Sequence, residues 1–78
     1  MRYVLYVKQT CPFCIKAQEL LEKQDVNFKV VNFSAENQDV LEEIKEAYEW
    51  PTVPMIFKIE EDIRLIGGYT DLTKHFDG

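Results

Sequence analysis

The feature that most constrains the fold is an abrupt change in the spacing of apolar residues at Cys11 and Pro12. Residues 2–7 combine Tyr, Val and Leu without a Gly or Pro, a pattern that is typical of a buried strand. Downstream, apolar residues recur at helical spacing, at Phe13, Ala17, Leu20 and Leu21. Proline at the first position of a helix loses no hydrogen bond and has a suitable φ. We therefore predict a helix over about residues 12–24, with Cys11 at or next to its N-cap.

The remaining segments continue to alternate between the two patterns. Apolar residues at helical spacing follow the possible caps in residues 34–37, at Val40, Leu41, Ile44, Ala47 and Tyr48. This helix is predicted to end near Trp50, because Pro51 disfavours helical geometry in the residue before it. Strands are predicted at residues 28–33, 55–59 and 63–66, and a last helix, capped by Thr70 or a neighbour, at 69–76.

The predicted order of elements is strand, helix, strand, helix, strand, strand, helix, which indicates an α/β fold. The two helical connections favour parallel pairing of the early strands with right-handed crossovers. The polar residues 60–62 have the length of a hairpin turn and predict antiparallel pairing of the last two strands. With 78 residues, the chain has room for a single domain, in which helices pack on the faces of a small mixed sheet.

Composition and charge argue against several classes of function. Nine basic and fourteen acidic residues give a net charge of −5, which repels a phosphate backbone, so we expect no nucleic-acid partner. The longest apolar runs span only a few residues, so we expect neither a secretory signal nor membrane association. The two cysteines lie too close together to staple distant segments. They predict a redox or metal pair in a reducing compartment, and the expected location is cytoplasmic.

Both cysteines lie at the predicted start of the first helix. One helical turn brings their sulfurs within reach of a disulfide and leaves Cys11 more exposed than Cys14. Unpaired N–H groups and the positive end of the helix dipole favour the thiolate form of Cys11, and Lys8 adds a weaker positive potential. We therefore predict that Cys11 is the nucleophile and Cys14 the resolving thiol in thiol–disulfide exchange.

A cysteine pair at this spacing also occurs as half of a zinc site or as two inert thiols in a core. Zinc usually requires a set of about four ligands. The only further soft ligand is His75, and nothing in the sequence brings it to the pair. We therefore expect no metal site within the chain.

Three motifs, in the family's order, resemble the glutaredoxin family over essentially the whole chain: residues 8–14 (KQTCPFC), 52–54 (TVP) and 67–71 (GGYTD). The resemblance implies a thioredoxin-like, three-layer α/β fold over residues 1–78, with a four-stranded mixed sheet flanked by three helices. It also implies a glutathione-dependent oxidoreductase that reduces protein disulfides and glutathione mixed disulfides. In this family the proline that matches Pro54 is cis, so the Val53–Pro54 bond is expected to be cis.

The resemblance further implies a set of glutathione-binding residues, which comprises Lys8, Phe13, Thr52, Val53, Pro54, Gly68, Tyr69, Thr70 and Asp71. Asp71 is expected to pair with the γ-glutamyl ammonium, and N–H groups at a helix start with the α-carboxylate. Lys8 matches a residue that faces the glycyl carboxylate, and Phe13 stands where many members have Tyr. The residues also allow simpler interpretations. Pro54 could only start a strand, and Lys8 could be a solvated charge. Thr70 and Asp71 could be ordinary helix caps.

Trp50 and Pro51 before Thr52 are a departure, similar to the single-cysteine branch of the family. That branch often bridges an iron–sulfur cluster, so a second hypothesis is a [2Fe–2S] carrier that uses Cys11 and glutathione thiolates from two subunits. A third is a thioredoxin-like electron donor, for example to ribonucleotide reductase, that is recharged by a flavoprotein. The first hypothesis predicts a monomer whose partners are glutathione, as co-substrate, and disulfide-containing proteins, with no tightly bound cofactor. Trp50 itself is expected to pack at the sheet edge.

Overall fold

The structure, a computed structural model, describes residues 2–8 and 11–77. Within these residues, strands and helices alternate in the predicted order. The strands are β1 (Arg2–Lys8), β2 (Phe28–Phe33), β3 (Met55–Ile59) and β4 (Ile63–Gly67), and the helices are α1 (Pro12–Lys23), α2 (Gln38–Ala47) and α3 (Tyr69–Asp77), with a 3-10 turn at Ala35–Asn37. In this described part of the chain, no helix is both long and apolar enough to cross a bilayer.

The four strands form one mixed sheet in the order β2-β1-β3-β4. β1 and β2 are parallel and β3 and β4 are antiparallel, which confirms both predictions. Parallel pairing was also predicted for the second helical connection, from β2 to β3. This prediction was wrong, because β3 runs antiparallel to β1 and begins where Met55 pairs with Tyr6. Helix α2 has only ten residues, and residues 48–54 return the chain to the end of the sheet at which β2 finishes. The end of β1, the start of β3 and the end of β4 therefore lie at the same end of the sheet, along the direction of the strands. We call this end the upper edge.

The two faces of the sheet bury separate hydrophobic clusters. Along β1, the alternate residues Tyr3, Leu5 and Val7 pack with buried residues of α1 and α3. Val4 and Tyr6 point to the other face and pack against the cluster that contains residues of α2. Helices therefore cover both faces of the sheet, and the expected three-layer, thioredoxin-like fold is confirmed.

Helix α2 ends in a tight turn that the sequence analysis placed too late. Glu49 has left-handed backbone geometry, with φ 53°, and the N–H of Trp50 donates to the carbonyl of Lys45 at 2.8 Å. These are the features of a helix that is closed by a residue of positive φ. The prediction that the helix ends near Trp50 therefore placed its end too late, because α2 ends at Ala47. Pro51 restricts only the residue before it, whereas the helix has already ended at Ala47.

Some apolar residues at helical spacing do not face the core. The buried residues of α1 are Cys14, Ala17 and Leu21. Phe13 has the same helical spacing but is 55% exposed, because Cys14 begins the buried series one position later. In α2, Leu41 is fully buried while Val40, its neighbour, is 50% exposed.

Replacing Leu41 by alanine should lower the free energy of unfolding by about 2–5 kcal/mol, because a fully buried side chain leaves a cavity. The matched control is Val40→Ala, whose half-exposed side chain should change the same quantity by no more than about 0.5 kcal/mol. Urea unfolding of both variants measures the difference. Equal losses in the two variants would contradict the burial pattern of α2.

Candidate active site

Cys11 is the N-cap residue of α1, as predicted, with Pro12 at the start of the helix. Its backbone is extended (φ −129°, ψ 105°), and its carbonyl accepts hydrogen bonds from the N–H groups of Cys14 and Ile15 at 3.1 and 3.3 Å. The N–H of Cys14 also donates to Cys11 Sγ, at 3.2 Å. The helix start thus directs an N–H group and the positive end of its dipole at this sulfur, which favours negative charge there.

Cys14 lies one helical turn further along and has the opposite environment. It belongs to the core cluster beneath α1, and only 2% of its surface is exposed. Burial raises the pKa of the Cys14 thiol to about 12; the neighbouring Cys11 acts in the same direction, and a backbone hydrogen bond from Lys8 acts against it. Cys14 therefore keeps its proton at neutral pH, and the two free thiols differ in exposure.

The segment before β3 lies against Cys11. The Val53–Pro54 bond is cis, as the resemblance implied, and Pro54 is fully buried directly before Met55, where β3 begins. The carbonyl oxygen of Val53 lies 3.9 Å from Cys11 Sγ, a long contact in which the thiol is the donor. The antiparallel pairing of β3 with β1 explains this proximity, because it starts β3 beside the end of β1.

The start of α3 also lies at the upper edge, directly after β4. The N–H of Gly68 donates to Asp71 Oδ2 at 3.0 Å, and the Gly68 carbonyl accepts from the N–H of Leu72. The prediction that Thr70 or a neighbour caps this helix is confirmed for the neighbour: Thr70 lies inside the first turn, and Asp71 caps the helix from within. The interpretation of Asp71 as a helix cap is confirmed by its hydrogen bond to Gly68. The bond occupies only Oδ2, so the second carboxylate oxygen is available to another donor.

A cavity of about 300 Å³ lies between these segments. Its walls are formed by Phe13, Trp50, Thr52, Val53, Pro54, Gly68, Tyr69, Thr70 and Asp71. The structure thus brings together all the predicted glutathione-binding residues except Lys8. The rings of Phe13 and Tyr69, with centroids 6.1 Å apart, lie on the two sides of the cavity that belong to α1 and α3.

Lys8 and Trp50 are the two residues whose placement differs from the expected set. Lys8 is half-buried at the end of β1, opposite Phe33, and is not among the described residues that line the cavity. Trp50, which was expected to pack at the sheet edge, packs against the cluster that contains residues of α2 and also lines the cavity, a contact that was not predicted. The one sequence signal for this placement is its position two residues before Thr52, in the motif that contains Pro54.

No group of three or more His, Cys, Asp or Glu side chains that could hold one metal ion occurs among residues 2–8 and 11–77. His75 is engaged elsewhere: its Nε2 lies 3.0 Å from the hydroxyl of Tyr3, and the two rings meet edge to face. This pair fixes the last turn of α3 against β1.

The family model for glutaredoxin matches residues 3–63, a range that contains both cysteines and the cis-proline segment. The chain belongs to the glutaredoxin family. Residues 67–71, which end β4 and begin α3, lie beyond the matched range, so their assignment depends on the structure and the motif alone.

Curated relatives and solved structures of glutaredoxins agree with this result. Glutaredoxin 1 of Rickettsia prowazekii (strain Madrid E) is 37% identical over 88% of this chain and 70% of its own length. Glutaredoxin 1 of Escherichia coli (strain K12) is 34% identical over 91% of this chain and 87% of its own length. A wheat glutaredoxin superposes with a TM-score of 0.85 over 97% of this chain and 71% of that structure, at 24% identity. For a glutaredoxin from Brucella melitensis the TM-score is 0.77 over 97% and 78%, at 25% identity.

Membership of the family establishes thiol–disulfide oxidoreduction through a cysteine pair as the chemistry of this glutaredoxin. The two thiols lie in different surroundings. Cys11 is half-buried and lies at a helix start beside the cavity, whereas Cys14 is enclosed in the core. Exchange begins when a thiolate attacks a disulfide, so we expect Cys11 to attack.

Alkylation rates should separate the two thiols of this glutaredoxin. In a Cys11→Ser variant, the remaining Cys14 should react with iodoacetamide only slowly at neutral pH, because burial, the largest cause of its raised pKa, is unchanged by the loss of Cys11. Its rate should rise steadily through about pH 9, because its pKa lies above that of a free cysteine. A plateau near pH 9, as for a free cysteine of pKa about 8.5, would contradict the assignment.

Replacing Gly67 by alanine should lower the free energy of unfolding by roughly 1–3 kcal/mol. The reason is that Gly67 has φ 126°, and a Cβ there would lie 2.5 Å from Asp71 Oδ2. Gly68→Ala is the matched control, because its Cβ would meet no atom nearer than 3.7 Å and its φ is not positive. Its loss should stay below about 1 kcal/mol. Thermal unfolding compares the stability of the two variants. Equal losses of stability would show that the positive φ and the close contact at Gly67 do not limit the stability of the fold.

Proposed function

We propose that this glutaredoxin is a glutathione-dependent oxidoreductase that reduces protein disulfides and glutathione mixed disulfides. The observation that carries the proposal is the cavity beside Cys11, which combines the start of α3, the carboxylate of Asp71 and the backbone at Val53. A cavity with these groups suits a short peptide that carries both an ammonium and carboxylates.

The charged groups of the γ-glutamyl residue of glutathione have counterparts at this cavity. The second oxygen of Asp71 can accept from the γ-glutamyl ammonium, and the N–H groups that open α3 can donate to the α-carboxylate. The backbone of Val53 can pair with the cysteinyl residue of the ligand, whose sulfur then faces Cys11. Lys8, at the end of β1, does not line the cavity, so its pairing with the glycyl carboxylate is supported by the motif at residues 8–14 alone. Phe13 and Tyr69 enclose the apolar part.

The proposed cycle follows from the difference between the two thiols. The Cys11 thiolate attacks the glutathione sulfur of a mixed disulfide, which forms a Cys11–glutathione disulfide and releases the substrate thiol. A second glutathione thiolate attacks that sulfur, which releases oxidised glutathione and regenerates Cys11. With a protein disulfide, Cys14 resolves the mixed disulfide instead, and the resulting Cys11–Cys14 disulfide is reduced by two molecules of glutathione. Because burial raises the pKa of Cys14, its thiolate is scarce at neutral pH, so a second glutathione and not Cys14 resolves the Cys11–glutathione disulfide.

The remaining assignments belong to the same proposal. The protein acts as a monomer in the cytoplasm, without a tightly bound cofactor, on glutathione and disulfide-containing proteins, of which ribonucleotide reductase is one candidate. The net charge of −5 and the pair of free thiols support this setting. The alternative of recharging by a flavoprotein is less well supported, because it gives no role to Asp71 at the cavity wall.

The decisive experiment compares turnover with glutathione plus glutathione reductase against turnover with a thioredoxin reductase, on one glutathione mixed disulfide and one protein disulfide. Glutathione should support both reactions, and the thioredoxin reductase neither. Cys11→Ser should abolish both, because the attacking sulfur is lost. Cys14→Ser should retain reduction of the mixed disulfide and lose reduction of the protein disulfide. Full activity of Cys11→Ser, or turnover with the thioredoxin reductase alone, would refute the proposal.

A further inference from the structure

Ile15 is an exposed apolar residue in the first turn of α1, close to the reactive thiol. Of its surface, 56% is exposed, and it is not among the residues packed in either hydrophobic cluster of the described chain. Among the described residues, it also takes no part in the cavity wall beside Cys11. Isoleucine is not one of the strongest helix formers. Neither the core, the cavity nor helix propensity therefore accounts for this side chain.

The geometry of the helix places Ile15 next to Cys11. The N–H of Ile15 donates to the carbonyl of Cys11 at 3.3 Å, which is the contact between residues four apart in an α-helix. Residues at this spacing share one face of the helix, with Cβ atoms about 5–6 Å apart. Side chains also tilt towards the start of a helix, so the side chain of Ile15 extends towards Cys11.

Phe13 and Ile15 lie on opposite sides of the helix start. A helix turns by about 100° per residue, so these two side chains point about 200° apart. Phe13 forms part of the cavity wall and faces Tyr69 of α3. A ligand that fills the cavity thus covers Phe13 and leaves Ile15 in solvent. Only a substrate that extends past Cys11 on the other side reaches Ile15.

We propose that Ile15 is a specificity-determining residue, which contacts protein disulfides that carry an apolar side chain two positions from the attacked cysteine. The inference rests on the proposed function, in which Cys11 attacks protein disulfides as well as glutathione mixed disulfides. In an extended segment, side chains two positions apart point the same way and lie about 7 Å apart. When the cysteine of such a segment faces Cys11, the side chain two positions away is correctly spaced to contact Ile15. Burial of the two apolar side chains favours binding.

The charges beside Ile15 restrict the same partner. Glu19 and Glu22 follow Ile15 four and seven positions later on the same side of α1, and both are exposed. Two carboxylates at this place repel an acidic substrate and attract a basic one. A protein disulfide with a basic residue beyond the apolar one therefore fits this surface.

Turnover of two matched peptide disulfides tests the proposal. Each probe is a symmetric dimer of a short peptide, joined through its single cysteine. One probe has leucine two positions to either side of the cysteine, the other has serine there, and both have lysine beyond these positions. The third substrate is the mixed disulfide of glutathione and 2-mercaptoethanol. With glutathione and glutathione reductase, the kcat/KM of the parent protein should be about fivefold higher for the leucine probe than for the serine probe, the scale of half-burying one apolar side chain.

An Ile15→Gln variant should lose this preference. Its KM for the leucine probe should rise about fivefold with kcat unchanged, because the contact is made equally in the bound substrate and in the transition state. Its KM for the serine probe and for the mixed disulfide should stay within about twofold of the parent values. Ile15→Leu should keep the preference. Ile63→Gln is the matched control, because Ile63 is 62% exposed and begins β4 at the opposite end of the sheet, so no KM should change.

Two results would count against these assignments in different ways. Equal rises in KM for the leucine and serine probes, or no rise for either, would overturn the role of Ile15, and continued reduction of the mixed disulfide would leave the proposed function intact. If the parent protein reduces none of the three substrates with glutathione, the proposed function fails, and this inference fails with it.

Discussion

The antiparallel pairing of β3 with β1 is the constraint on which the rest of the site depends. It places the start of β3 next to the end of β1, and the hairpin then returns the end of β4 to the same edge. Three segments that are distant in sequence therefore meet there: the start of α1, the cis-proline segment and the start of α3. If β3 had been parallel to β1, Val53 would lie at the opposite edge from Cys11, and no cavity would form between them.

The helix start at Cys11 then gives two chemically similar groups different properties within one turn. Cys11 receives an N–H hydrogen bond at the exposed end of the helix, while Cys14 enters the core and its pKa rises because burial disfavours the charged form. A single structural element thus separates the sulfur that we propose as the attacking group from one that is buried and keeps its proton. The same principle operates at α3, where a helix start supplies donors and Asp71 both caps the helix and borders the cavity.

The sequence predicted the features that depend on neighbouring residues. The period of the apolar residues and the position of Pro12 placed Cys11 at the N-cap, and residues 60–62 predicted the hairpin. The differences occurred where distant contacts decide. The helical spacing of Phe13 does not show that it is exposed, whereas the motif that contains it predicted its place at the cavity. Thr70 and Asp71 both have the chemistry of a cap, and the structure shows that Asp71 makes the bond. No local rule connects Trp50 to Gly68, so its contact with the cavity was not predicted.

The sequence by itself determined the order of the elements, the two thiols at the first helix start and, through three motifs, the family. These follow from steric and hydrogen-bonding preferences that act over a few residues. The tertiary structure alone decided the direction of β3, the burial that raises the pKa of Cys14, and the position of the indole of Trp50 beside α3. Each of these depends on which distant surfaces pack together, and that choice is made by burial of apolar area over the whole chain.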